Sequence, residues 1–309
     1  MQKHIVAFGN PVYDTIVTPV LPRRDRVLSG CSTNACLAVA KLGEQATLVG
    51  TVGPDFSERL KADLARWGVT AHLWPSQQTG GFSLIYDERG NRELAVLGVA
   101  DPIPAHADGF AHADFVLLGP VLGETQPALA HRLRASTSAT ILLDPQGLLR
   151  GLHGTEVTHA LSDEFVSIAR VATVVKANEL ETQVVTGLNP RRDPEAAVRA
   201  LHSSGCQIAV VTLAEAGSII YDGQTVHTIP PYTTHAIDPT GAGDTYAAGF
   251  MVKYLETPGN LMEVGCFASA VASVMVENSG PAFPLTRAEA DRRAQALLNG
   301  PRRLLLAED

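Results

Sequence analysis

Cysteine is scarce in this chain: four in 309 residues, Cys31, Cys36, Cys206 and Cys266, with no Cys-x-x-Cys spacing. That excludes a disulfide scaffold and fits reduced thiols in a cytoplasmic protein. Positive charge is also in short supply. Lys and Arg number 24 against 32 Asp and Glu, giving a formal net charge of −8. Without a basic stripe, a general nucleic-acid binder is excluded. The clusters Arg23-Arg24-Asp25-Arg26, Arg191-Arg192 and Arg302-Arg303 read as solvated loops. Long apolar runs are missing too. The longest helical one, Val264 to Val276, falls short of the ~20 residues that cross a bilayer. The opening stretch, Met1 to Asn10, lacks the apolar length and cleavage site of a signal peptide. No membrane partner and a cytoplasmic location are expected. What is present is a globular composition, 45% hydrophobic and 18% charged with 27 Gly and 19 Pro, which excludes a disordered or fibrous chain.

Strand and helix signals alternate along most of the length. Ile5 to Phe8 is a short apolar run that stops at Gly9-Asn10-Pro11, as a buried strand would. Tyr13 to Val17 and Arg26 to Leu28 are β-rich, and apolar residues from Ala35 to Leu42 cover a helix that Gly43 ends. Strand 46–52 and helix 55–67 follow. Strand, helix, strand, helix argues for a parallel sheet with crossover helices. One segment breaks the rhythm: 81–86, a turn at Asp87 to Asn91, and 92–97 form a hairpin with no intervening helix. With residues 13–28 it makes a small β flap. Beyond it come strands 115–118, 140–143 and 171–175, a helix at 126–133, and helices near 179–187 and 194–203. Strand 207–212 and a hairpin at 218–229 lead to helices 241–255, 261–276 and 286–298. No linker divides the chain, so residues 1–309 are expected to form one α/β domain with lid segments at about 13–28 and 81–97.

The segment richest in chemistry is Asp238-Pro239-Thr240-Gly241-Ala242-Gly243-Asp244. Small residues precede a long apolar helix, and Asp244 falls in its first turn. A helix N-terminus offers free N–H groups and a positive dipole end, and glycines let a phosphate approach them closely. Asp244 could simply cap the helix. It could equally take a proton from an attacking hydroxyl while the N–H groups stabilise a transferring phosphoryl. A dinucleotide-binding Gly-x-Gly-x-x-Gly is disfavoured, because that motif belongs to a first strand–turn–helix unit, and Gly9-Asn10-Pro11 lacks it.

Asp238 to Phe250 resembles the C-terminal signature of the PfkB carbohydrate kinase family, which has the ribokinase-like fold. Other segments agree in order: Gly9-Asn10 through Asp14, Ser29-Gly30 through Asn34 and beyond, and Asn178 to Glu181. The likeness spans residues 5 to about 284. It implies a three-layer α/β fold, a central mainly parallel sheet between helices, with a small β-sheet lid. By the same resemblance Asp244 is the catalytic base, with Gly241, Ala242 and Gly243 forming the anion hole. Asp14, Gly30 and Asn34 would hold substrate hydroxyls, and a carboxylate accepting from neighbouring hydroxyls suits that role. Asn178 and Glu181 would order Mg²⁺ and its waters at the ATP phosphates. Thr212, Ala214 and Gly217 match the family's nucleotide loop, with Ala214 replacing a glycine, and Asn278 would wall the adenine. Asp238 and Thr240 fall where related kinases place K⁺.

The implied reaction is ATP-dependent phosphorylation of a small polyol. Family members that take phosphorylated sugars often carry Lys where this chain has Cys31, so an unphosphorylated acceptor is expected. Tyr13, Phe82 and Tyr86 could stack on a base, which keeps a nucleoside acceptor open. Leu118 to Val121 and Leu143 to Arg150 are similar to segments of inositol-kinase-like members, which keeps cyclitols open. A nucleotide-responsive binding protein and a homodimer joined through the lid also remain open.

Overall fold

The computed structural model describes residues 2–21, 24–87, 92–106 and 109–300. The middle of the expected 87–91 turn, Arg23, and the 302–303 arginine pair lie outside them. The chain runs through β1 (His4–Phe8), β2 (Val12–Val17), β3 (Arg24–Ser29), α1 (Cys31–Lys41), β4 (Gln45–Val52), α2 (Ser57–Arg66) and β5 (Thr70–Pro75). Next come β6 (Gly81–Tyr86), β7 (Arg92–Gly98), β8 (Phe115–Leu118), α3 (Pro127–Ser136), β9 (Thr140–Leu143), β10 (Arg150–His153) and β11 (Glu156–His159). Then follow α4 (Asp163–Ala169), β12 (Val174–Ala177), α5 (Glu179–Thr186), α6 (Pro194–His202), β13 (Ile208–Thr212), β14 (Ser218–Tyr221) and β15 (Val226–Ile229). Three helices complete it: α7 (Ala242–Glu256), α8 (Leu261–Val276) and α9 (Arg287–Asn299).

The main sheet has nine strands in the order β15-β14-β13-β12-β9-β8-β1-β4-β5. Seven neighbouring strands, β13 through β5, are parallel, and the β14–β15 hairpin continues the sheet antiparallel. Its central strands are apolar on both faces because helices cover both. In β1, Ile5 and Ala7 enter one core with α1, α7 and α8, while Val6 and Phe8 enter the other with α3, α4 and α6. These are the three layers expected of a ribokinase-like fold. α8 is apolar almost all round because it is wedged between α7 and α9, so its buried face has no polar counterpart to turn toward water.

The second sheet has six strands, β10-β11-β7-β6-β2-β3. Both segments expected in the flap belong to it: β2 and β3 pair antiparallel, and so do β6 and β7. Its third limb, β10–β11, was not anticipated. Those strands are short and largely exposed, so they lack the apolar alternation that marks a strand. Two other expectations shift. Residues 171–173 are not strand, because α4, unforeseen and capped by Ser162 accepting from the Phe165 N–H at 3.1 Å, ends just before them. The strand starts at Val174 and thereby takes in Lys176. Arg191 is no free loop charge, since it pairs with Glu179 and Glu215, each at 2.8 Å. Arg24 likewise donates to the Ser279 carbonyl at 2.7 Å.

Candidate active site

The parallel strands β9 and β12 end beside the start of α7, at the carboxyl edge of the sheet where open α/β folds bind ligands. Leu142 pairs with Val174, and Leu143 with Val175. One step further along this register, Asp144 meets Lys176, with the carboxylate 2.6 Å from Nζ and both side chains buried. The α7 N-cap is Gly241, in the left-handed region at φ 82°, and no side chain caps the helix. Of its first-turn N–H groups, that of Ala242 turns to the Pro239 carbonyl at 3.2 Å, and those of Gly243 and Asp244 remain for something else. Gly241, Ala242 and Gly243 border a cleft of about 1220 Å³, together with Asp244. A Cβ on Gly243 would lie 2.8 Å from Lys176 Nζ, so only glycine lets the helix end and the ammonium come this close.

Asp244 is the third residue of α7 and is not its cap. Its carboxylate is buried and turned to side chains from elsewhere: Asn34 Nδ2 donates to Oδ2 at 2.8 Å and Gln146 Nε2 to Oδ1 at 3.4 Å. Burial, then the Asp144 carboxylate, hold its pKa above the ordinary aspartate value, against the Asn34 hydrogen bond and Lys176. Such a group is a better proton acceptor than a free aspartate. Cys31, from the start of α1, comes within 4.8 Å of Asp144 and Asp244, and burial followed by those carboxylates pushes its thiol up. It is a neutral wall of the cleft.

Asn178 and Glu181 form a complete capping box on α5. The Asn178 side chain accepts the Glu181 N–H at 2.9 Å, and Glu181 accepts from the Asn178 backbone N–H and amide at 2.8 and 2.7 Å. Glu181 is only 6% exposed, not the surface residue its place in a helix suggests, and it borders the cleft. Burial and the nearby Asp144, against Lys176, push it up to about 7.

At the other end of the cleft Asp14 accepts the Phe82 N–H at 2.8 Å, tying β2 to β6. Gly30, at φ 112°, starts α1. Val12, Phe82, Leu84 and Tyr86 turn the inner face of the second sheet toward the cleft. Tyr13 does not join them: it stacks on Phe56 at 4.2 Å, and its hydroxyl donates to Asp63. The Tyr86 hydroxyl is 3.0 Å from Thr240 Oγ1, so it links the second sheet to the loop before α7. Arg150 lies 5.4 Å from the centre of the Phe82 ring and donates to Gln146 at 2.8 Å and to the Val121 carbonyl at 2.9 Å.

Beyond the α7 terminus the cleft continues past Thr212, Ala214 and Gly217 to Tyr232, Thr234 and α8. Ala214 keeps φ 48°, the left-handed conformation a glycine would favour, so the replacement preserves the loop shape at some strain. Asp238 is buried with its oxygens accepting from the Thr240 N–H at 2.9 Å and the Ser279 hydroxyl at 2.6 Å. Asn278 closes α8 by donating to the Val274 carbonyl at 2.8 Å and does not border the cleft. The residues missed in the sequence are Asp144, Gln146, Arg150 and Lys176. A lysine inside the apolar run Val174–Ala177, and an aspartate directly after strand β9, were the available signals.

Residues 21–288 match the family model described as pfkB family carbohydrate kinase. Among curated proteins, a cytidine kinase of Thermococcus kodakarensis is 29% identical over 81% of this chain and 88% of its own length. A ribokinase of Haemophilus influenzae is 25% identical over 91% and 94%. Among solved structures, a pyrophosphate-dependent kinase in the ribokinase family shares the fold with a TM-score of 0.80, at 22% identity over 93% of this chain and 99% of that one.

Proposed function

This chain belongs to the pfkB family of carbohydrate kinases, phosphotransferases acting on small polar substrates, and from that premise we propose that it moves the γ-phosphoryl group of ATP to a hydroxyl of an unphosphorylated polyol. The observation that carries this is the buried Asp244 carboxylate on an uncapped helix end, inside one cleft shared by two sheets. The acceptor oxygen attacks the γ-phosphorus, the bond to the ADP oxygen breaks, and the hydroxyl proton passes to Asp244. The N–H groups of Gly241 to Asp244 receive the charge on the transferring oxygens. Asn34 and Gln146 hold the base, and Asp14 with Gly30 grip acceptor hydroxyls. Asp238 and Thr240 would flank a K⁺.

Mg²⁺ fits the Asn178–Glu181 corner, because a buried carboxylate held near pH 7 by burial and a neighbouring carboxylate gains from a hard cation. When bound there through water, it neutralises charge on the donor phosphates. Support for ATP, over a smaller phosphate donor, comes from the length of cleft beyond the helix end. Support for an uncharged acceptor comes from Asp14 and Asp244 along the cleft, where Arg150 is engaged with Val121 and Gln146. The apolar wall of Val12, Phe82 and Leu84 favours as a second reading an acceptor with one non-hydroxylated face, a nucleoside, in line with the cytidine kinase likeness.

The test is product release with ATP or pyrophosphate over pentoses, hexoses, nucleosides and inositols, including ribose against ribose 5-phosphate. ATP with an uncharged acceptor should give the fastest turnover. A preference for pyrophosphate, or for the phosphorylated member of a pair, would overturn the corresponding half.

A further inference from the structure

Lys176 is unusual among the groups around the cleft. It sits in a strand with apolar neighbours, is 3% exposed, and yet borders the cleft. An ammonium has three N–H bonds to satisfy. Asp144 takes one at 2.6 Å, and among the described residues no other hydrogen-bond acceptor is found for Nζ. The Asp144 carboxylate at 2.6 Å is the counter-charge beside it. A buried ion pair is weak evidence for stability, because desolvation offsets much of the attraction.

Position decides what the spare N–H bonds serve. Nζ lies 2.8 Å from where a Gly243 Cβ would stand, against the first turn of α7. Any phosphoryl group received by that turn is therefore within reach of the ammonium. The geometry points to Lys176 as a catalytic residue that binds the transferring phosphoryl oxygens, with Asp144 as the positioning residue that holds its amine there. This rests on the phosphotransfer reaction proposed above. Lys176 keeps its proton throughout: the acceptor oxygen–phosphorus bond forms as the phosphorus–ADP oxygen bond breaks, and the acceptor proton goes to Asp244. The ammonium supplies charge to the group in flight, complementing the neutral N–H donors of the helix end.

The competing role is a plain counterion for Asp144, and a double-mutant cycle separates the two. Lys176→Met alone strands a buried carboxylate and is expected to lower the melting temperature. Lys176→Met with Asp144→Asn removes both charges and should restore it. If Lys176 touches the phosphoryl group, kcat stays ~10²–10³-fold below the parent in the restored double variant, the range seen on removing one oxyanion donor. The Kd of the non-hydrolysable analogue AMP-PNP should rise ~10-fold or more while those of ADP and acceptor move less than ~3-fold, because only the analogue carries the third phosphate. In the unmutated enzyme the ¹⁵N resonance of Lys176 Nζ should shift with AMP-PNP and Mg²⁺ but not with ADP and Mg²⁺, a measurement independent of whether variants fold. Near-parental turnover in the double variant, equal weakening of AMP-PNP and ADP, or an unmoved resonance would each reduce Lys176 to a counterion. A parent protein that neither binds nor turns over ATP would instead defeat the underlying reaction.

Discussion

Two helices begin at the same cleft and end in opposite ways. α5 is sealed by its own side chains: Asn178 and Glu181 exchange hydrogen bonds across the first turn. α7 opens with Gly241 and carries no cap at all. The sealed end has its Asn178 and Glu181 N–H groups taken by side chains and presents a carboxylate, so it suits a cation. The open end has only its Ala242 N–H taken, by the Pro239 carbonyl, and suits an anion. The carboxylate near each end differs accordingly. Glu181 is held by its own helix, whereas Asp244 is held by Asn34 of α1 and Gln146 beyond β9. Under the proposed reaction, this difference would set a metal corner at α5 apart from the transferring phosphoryl at α7.

The most forceful way to break this contrast is Asp244→Asn. The amide keeps the shape but cannot accept the hydroxyl proton. kcat should fall at least ~10²-fold, as general-base assistance is worth ~10²–10⁴-fold, while melting temperature and ATP-Mg²⁺ affinity stay close to the parent. Turnover near the parental level would remove Asp244 from the chemistry. Next is Glu181→Gln at the sealed end. Glutamine can still accept from the Asn178 backbone N–H, but its amide nitrogen then faces the Asn178 Nδ2 donor, so stability should fall by ~1 kcal/mol, while the Mg²⁺ concentration for half-maximal rate should rise ~10-fold. An unchanged Mg²⁺ titration would place the metal elsewhere. Gly241→Ala tests the open end without touching charge. Its φ of 82° and a Cβ 3.1 Å from Asn34 Nδ2 predict ~1–2 kcal/mol lower stability and a few-fold loss of kcat as Asn34 is pushed from Asp244. Full stability and activity would mean the turn does not need glycine.

The smallest expected effect is on pH dependence. Glu181 is raised from 4.5 to about 7, so between those values the folded protein holds a proton that the unfolded chain releases. More bound protons in the folded state mean stability falls as pH rises through that window. In metal-free buffer Glu181→Gln should flatten this part of the melting curve against pH, and Mg²⁺ should do the same to the parent. A slope unaltered by the substitution would assign it to other groups.

Most of the floor of the cleft could be read from sequence because its residues travel in short motifs. Asp238 to Asp244 is contiguous, and Asn178 and Glu181 lie one helical turn apart. Asp144 and Gln146 lie in the Leu143 to Arg150 segment, noted only for its likeness to inositol-kinase-like members, and nothing local joins them to Lys176. They meet only through the parallel register of β9 with β12, and the strand bearing Lys176 was read as ending at Val175. The α/β alternation was legible from buried strands such as Ile5 to Phe8, whereas β10 and β11 were not, since a mostly exposed hairpin carries little pattern. Tyr13 misled for a related reason. Period-two alternation sends it to the opposite face from Val12 and Asp14, against Phe56.

Asp238 stands at the meeting of two levers. One of its partners, Thr240, is touched by Tyr86 of β6, and the other, Ser279, has its carbonyl gripped by Arg24 of β3. If either strand swung outward, it would pull on the loop that leads directly into Gly241. The second sheet and the open helix end are in this sense geared together, and the gearing has a kinetic corollary. Hydrogen bonds that steady the helix end for transfer are the ones an opening motion must first break, so tightening the Tyr86 contact should slow departure of product, and Tyr86→Phe should trade a looser helix end for faster release.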